Sequence, residues 1–269
     1  MTRDLMVQVA GTKIHACFDG DPAQACIVLM NSLAADTRMW RLQVPLLLAA
    51  GYSTLRFDYR GHGGSPAAAG PYSLPMFVAD MRAVIAGAGV TRPHLVGLSL
   101  GGMLVMHAAL ETPAAWRSAT VISALADMPP PADRIWAERA VEVRRLGVQS
   151  VVAGSLERWF TPAFKAQSPA VFEEVGAMIA ATDVEAYAAC IEGIVKQVDL
   201  LRRLPDLRAP CHFIVGAEDL ASTPARMREM AAKVPGARIT EMPMAAHLPT
   251  LERPQAVFDA LLSHIRSYA

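Results

Sequence analysis

Ser99 stands in the pentapeptide Gly97-Leu98-Ser99-Leu100-Gly101, a lone hydroxyl inside an apolar run. A serine hydroxyl becomes a useful nucleophile only when a base takes its proton, and the base works only when a third group orients it. The G-x-S-x-G spacing indicates how such a hydroxyl would be presented. Residues 94–98 read as a strand and residues 102–111 as a helix. A strand that turns into a helix over one residue strains that residue and leaves no room for a Cβ on either side. Such a turn lifts Ser99 Oγ to the carboxyl edge of a sheet. It also sets the hydroxyl at a helix start, where free N–H groups favour negative charge.

The partners of such a nucleophile are expected downstream, first an acid and then a histidine. Residues 211–216 read as a strand, and the loop after it offers Glu218 and Asp219. Asp219 is the preferred acid; Glu218 also fits a solvated turn or a helix cap, so both stay open. His247 follows another expected strand, 237–242, and precedes the last helix. The other histidines read as structural: His15, His94 and His212 in or beside strands, His107 and His264 in helices, His62 in a turn. Charge developing on an attacked carbonyl needs two N–H donors. The backbone N–H of Leu100 is one. The N–H of Leu33, in the loop 30–36, is the expected second.

The elements that must hold these groups are legible in the alternation of short apolar runs with longer amphipathic ones. Strands are expected at 13–18, 25–30, 53–57, 94–98, 118–123 and 211–216, with helices at 39–51, 74–89 and 102–111. The runs are apolar enough to be buried on both faces, which points to an α/β fold: a mostly parallel sheet flanked by helices. The alternation stops at Met128-Pro129-Pro130-Pro131 and resumes after Pro205. The expected division is therefore a core of residues 1–127 and 206–269 with a helical insertion, 128–205, acting as a cap. Such a cap should cover the pocket. Trp136 and Trp159 either line it or pack between cap helices.

Several function classes are disfavoured. The 269 residues carry 25 Lys+Arg and 25 Asp+Glu, so no excess charge invites nucleic acid or an anionic membrane. The amino terminus lacks a signal-peptide pattern, and no apolar run is long enough for a membrane span, so a cytoplasmic protein is expected. Cys17, Cys26, Cys190 and Cys211 are scattered and read as buried free thiols. DYRGHGGS, residues 58–65, lacks the spacing of a phosphate loop and reads as a turn, with Asp58 and Arg60 pinning loops. No metal-ligand motif stands out, and neither metal nor cofactor is expected.

Taken together, these residues resemble the α/β-hydrolase family. The loop after an early strand, the D-x-R-G-x-G-x-S turn at 58–65, the G-x-S-x-G elbow, the late acid and the histidine before the last helix occur in that family's order. VLMNSLAADTRMW, VGLSLGGM, ERWFTPAF, GAEDLASTPARMREMA and AAHLPTLERPQAVF further resemble 3-oxoadipate enol-lactonases, notably in the pair Asn31-Ser32. Ala34 departs from the glycine usual there, and Met242-Pro243-Met244 from a more polar stretch. The resemblance implies a serine hydrolase, with Ser99, Asp219 and His247 as catalytic residues, acting on a small-molecule ester or lactone without a cofactor. An acidic substrate would favour a cationic contact, for which Arg139 is a candidate. Other readings are an esterase, another lactonase or a perhydrolase on the same residues, and a non-catalytic ligand-binding protein.

Overall fold

The computed structural model describes residues 2–128 and 130–268; Met1, Pro129 in the proline run, and Ala269 lie outside the described residues. The chain begins with β1 (Thr2–Val9) and β2 (Thr12–Asp19), followed by β3 (Cys26–Met30), α1 (Gln43–Ala49), β4 (Ser53–Phe57), α2 (Leu74–Gly87), β5 (His94–Leu98), α3 (Leu100–Glu111) and β6 (Ala119–Ile122). Helices α4 (Ala132–Leu146), α5 (Val152–Trp159), α6 (Pro162–Gln167), α7 (Pro169–Ala180) and α8 (Val184–Cys190) come next, before β7 (Cys211–Gly216), α9 (Pro224–Lys233), β8 (Arg238–Met242), α10 (Pro249–Glu252) and α11 (Pro254–Arg266).

The eight strands form one sheet in the order β1-β2-β4-β3-β5-β6-β7-β8. The pairs β1–β2 and β2–β4 are antiparallel; from β4 through β8 every neighbouring pair is parallel. Every residue of β3, β5, β6 and β7 is buried. That explains their unbroken apolar runs: a parallel strand covered by helices on both faces has no polar side to show. Each fully buried Val, Leu or Ile adds about 1.5–3 kcal/mol of transfer free energy. The sheet's carboxyl edge, where open α/β sheets bind ligands, is thus held on a rigid base.

The structure corrects the element reading in two places. Residues 39–51 are not one helix. A short 3-10 turn, Thr37–Trp40, comes first, started by the Asp36 side chain accepting the Arg38 N–H, and α1 follows. β1 was not anticipated. It covers one edge of the sheet, and its residues alternate between exposed and half-buried from Asp4 onward, a weaker signal than a buried run.

Between β6 and β7 the chain is helical, and it leaves and returns at one place. Asp127 bridges Asp199, and the Leu200 N–H donates to Ala126 O at 2.7 Å. No described helix is long and apolar enough to cross a membrane.

Candidate active site

Ser99 has φ +56° and ψ −112°, between the last residue of β5 and the first of α3. An L-residue at positive φ is strained, and here several contacts enforce it. The Ser99 N–H donates to Ile122 O at 2.9 Å, and Gly101 N–H donates to Asn31 O at 3.0 Å. The flanking glycines are needed for the reason the sequence suggested. A Cβ on Gly97 would lie 2.2 Å from Gly101 O, and one on Gly101 would lie 2.3 Å from Met30 O.

Asp219 lies past the end of β7 and is buried, whereas Glu218 beside it is exposed. Of the two acids the sequence left open, Asp219 is the one the fold brings to His247. Its Oδ1 accepts the N–H groups of Ala221 and Ser222 at 2.8 and 3.0 Å, and its Oδ2 lies 2.9 Å from His247 Nδ1. Burial alone would push this carboxyl up. The His247 charge and hydrogen bond and the two backbone N–H donors outweigh burial and hold it below the usual range. Asp219 is thus a carboxylate fixed in place, able to hold the imidazole with Nδ1 protonated and Nε2 free to take a proton.

Ser99, His247, Leu33 and Leu100 all line one cavity of about 570 Å³. Asn31 anchors the loop that carries Leu33. Its side chain donates to Phe57 O and accepts from Trp40 Nε1, both at 2.9 Å. Ala34 in that loop has φ +59°. Among the described residues, the Leu33 and Leu100 N–H groups meet no acceptor of the chain.

The far wall comes from the helices between β6 and β7. Trp136 and Arg139 on α4, Arg158 and Trp159 on α5, and Tyr187 on α8 line the same cavity. The Trp159 ring centroid is 6.1 Å from that of His247, and the Arg139 guanidinium lies 5.2 Å from the Trp136 ring. Both tryptophans thus reach the cavity while also packing on neighbours. Arg139 donates to Ser155 Oγ at 3.2 Å. Partial burial and then the Arg139 charge lower the Arg158 pKa. Among the described residues, neither arginine pairs with a carboxylate.

Two features escaped the sequence reading. Ser32, singled out only for its resemblance, is a residue of the cavity wall, and its Oγ is buried with no hydrogen-bond partner among the described residues. Glu252 on α10 is buried. Its Oε1 accepts the Thr161 N–H and hydroxyl at 2.8 Å each, and its Oε2 accepts the Ala246 N–H at 2.5 Å. Burial pushes this carboxyl up, against the N–H donors that hold it down. A glutamate in the first turn of a helix reads as an ordinary dipole partner, so no sequence signal marked it.

Asp58 accepts from Thr37 N–H at 2.8 Å and Gly64 N–H at 2.9 Å and lies 2.7 Å from His15 Nδ1, while Arg60 forms a two-pronged pair with Asp80. The turn at 58–65 is therefore the loop clasp the sequence suggested.

Comparison with known proteins agrees with this architecture. The chain is 27% identical over 242 residues to 3-oxoadipate enol-lactonase 2 of Acinetobacter baylyi, covering 90% of this chain and 89% of that one. The crystal structure of the enol-lactonase from Burkholderia xenovorans LB400 superposes with a TM-score of 0.92 at 31% identity, over 97% of this chain and 100% of that one. A thermophilic esterase from Thermogutta terrifontis, 24% identical, shares the fold with a TM-score of 0.90 over 100% of this chain and 99% of that one. The alpha/beta hydrolase family matches residues 27–260, and the chain belongs to that family.

Proposed function

We propose that the protein is a serine hydrolase of a small carboxylic ester or lactone, and that its substrate is 3-oxoadipate enol-lactone, an intermediate of aromatic catabolism. In this reading Ser99 is the nucleophile, His247 the general base and acid, and Asp219 the orienting carboxylate. The Leu33 and Leu100 N–H groups form the oxyanion hole, and residues 128–205 cap the core formed by 1–127 and 206–269. The observation that carries the reading is the shared cavity: the Ser99 hydroxyl and an imidazole fixed by Asp219 open onto one space.

The chemistry follows from those groups. Ser99 Oγ attacks the lactone carbonyl while His247 Nε2 takes its proton. The N–H donors of Leu33 and Leu100 stabilise the oxyanion as the C–O bond of the ring breaks. His247 returns the proton to the departing enol oxygen, and the enol tautomerises to a ketone. That makes the enol a better leaving group than an alkoxide. Water, deprotonated by His247, then attacks the acyl-serine, releases the carboxylic acid and restores Ser99. Asp219 stabilises the imidazolium in both halves.

The substrate assignment is supported by the enol-lactonase relatives and by the two arginines. Arg139 and Arg158 reach the cavity, which Glu138 and Glu142 also line, and neither arginine is ion-paired to a carboxylate among the described residues, which suits a substrate that carries its own carboxylate.

Two assays separate the readings. Turnover of p-nitrophenyl acetate, lost in Ser99→Ala, identifies an acyl-transfer enzyme; no turnover by the native protein leaves a binding protein. Loss of the enol-lactone's ultraviolet absorbance, faster than ester turnover, identifies the lactonase. Faster turnover of simple esters would replace that name with carboxylesterase.

A further inference from the structure

Outside the cavity, Asp4, His15 and Cys17 converge on one face of the β1–β2 ribbon. The register pairs Asp4 directly with Cys17, and His15 is two residues before Cys17 on the same face. Strand alternation therefore points all three side chains the same way. The Cys17 thiol donates to Asp4 Oδ1 at 3.3 Å, His15 Nε2 lies 3.7 Å from that oxygen, and Sγ to Nε2 is 3.8 Å. Among the described residues, this is where an imidazole, a thiol and a carboxylate meet within ligating reach.

From this convergence the geometry points to a binding site for a zinc-class divalent cation, held by Cys17 Sγ, His15 Nε2 and Asp4. Three observations support it. First, the spacing is right. Metal bonds of about 2.0–2.3 Å in a tetrahedron keep ligand atoms about 3.3–3.6 Å apart, so little rearrangement is needed. Second, His15 is already oriented from behind: its Nδ1 lies 2.7 Å from Asp58 Oδ2. A carboxylate holding the far nitrogen of a ligating histidine fixes the tautomer and raises its basicity. Asp58 is itself fixed by the Thr37 and Gly64 N–H groups, and a Cβ on Gly64 would lie 2.8 Å from His15 Cγ, so the ring is held on two sides. Third, the site is open on one side. The Asp4 side chain is 73% exposed and that of His15 24%, while Cys17 is buried beneath them.

Binding exchanges one bond for another. The Cys17 S–H bond breaks, its proton passes to solvent, and a sulfur–metal bond forms without change of oxidation state. Asp4 gives up the thiol's hydrogen bond and binds the metal. Met6, directly across from His15, is exposed on the same ribbon and borders the fourth position, which water can fill. Arg56, the nearby cation, is engaged by Asp19 and Thr37 O.

The test is a titration of the metal-stripped full chain with Co²⁺, followed by absorption spectroscopy. One equivalent is expected to produce the near-ultraviolet charge-transfer band of a thiolate–cobalt bond, displaced by Zn²⁺. Cys17→Ser should abolish the band. Asp4→Asn, at an exposed position that folding does not need, should weaken binding at least about tenfold. In the native chain Zn²⁺ should also raise the melting temperature, and in Cys17→Ser it should not. Absence of the band, its survival in Cys17→Ser, or unchanged affinity in Asp4→Asn would each overturn the site, whatever the outcome of the hydrolase assays.

Discussion

Glu252 and Thr161 are joined twice: one carboxylate oxygen accepts both the N–H and the hydroxyl of Thr161. The other oxygen holds the Ala246 N–H, next to His247. The helical segment and the histidine loop are therefore tied through one buried side chain, and Leu248 N–H adds a bond to Trp159 O at 3.2 Å. Glu252→Gln keeps the shape but turns an acceptor into a donor that faces an N–H. The change should cost about 1.5–3 kcal/mol. Thermal melting should show that loss, and kcat for p-nitrophenyl acetate should fall while KM stays within about twofold. Unchanged kcat would mean that Glu252 does not position His247.

The two arginines should discriminate by substrate charge. Arg158→Met is expected to raise KM for the anionic enol-lactone about tenfold or more, as the loss of a charge-assisted contact implies. Its kcat/KM for neutral p-nitrophenyl acetate should stay within about twofold. Equal losses on both substrates would assign Arg158 to the fold of the cavity wall and not to recognition.

Ala34 occupies a backbone position that favours glycine. The left-handed region costs an L-residue about 1–2 kcal/mol, against about 0.5–1 kcal/mol of extra chain entropy for glycine. Ala34→Gly should therefore leave the melting temperature unchanged or raised by a few degrees. Ala34→Val, β-branched at positive φ, should lower it and slow acylation by displacing the Leu33 N–H. A large drop for the glycine variant would contradict the strain argument.

How much of this was legible in the chain differs by residue. Gly97 and Gly101 announced the elbow because a strand-to-helix turn admits so few side chains. His247 stood out because it follows a strand and precedes a helix. Asp219 was preferred to Glu218, but the letters alone left both open, since burial, which distinguishes them, is set by the loop's fold. Glu252 was invisible because its three donors come from residues distant in the chain or hidden in backbone. Asp4, His15 and Cys17 escaped for a related reason: His15 and Cys17 are local, but Asp4 joins them only through the register of β1, a strand the apolar pattern barely marks. The 3-10 turn at Thr37–Trp40 was hidden within an apolar stretch that looks continuous with α1.

Acid should unfold the protein through its buried histidines. Burial lowers the pKa of His94 to about 4, of His212 to about 3 and of His264 to about 4. His62 and His107 are also lowered by burial, whereas His15 is raised, first by its bond to Asp58. A histidine with a lowered folded pKa binds its proton first in the unfolded chain, so its stabilisation is present above about 6.5 and is lost as pH falls towards the folded value. His15 works in the opposite direction, but one group opposes five. The melting temperature should therefore hold near pH 7 and fall steadily between pH 6.5 and 4. His264→Phe, which replaces the titratable imidazole whose centroid lies 5.3 Å from that of His212, tilted by 55°, should flatten that fall. A melting temperature constant down to pH 4.5 would contradict the assignment.

The most direct test of the central proposal is the site of acylation. The protein would be mixed with p-nitrophenyl acetate, quenched within the first turnover and mapped by peptide mass spectrometry. The account predicts a burst of nitrophenolate and an acetyl group on Ser99. In His247→Ala that acyl-enzyme should be absent, and in Asp219→Asn its formation should slow by on the order of 10³–10⁴-fold. An acetyl group on another residue, or turnover undiminished in Ser99→Ala, would contradict it.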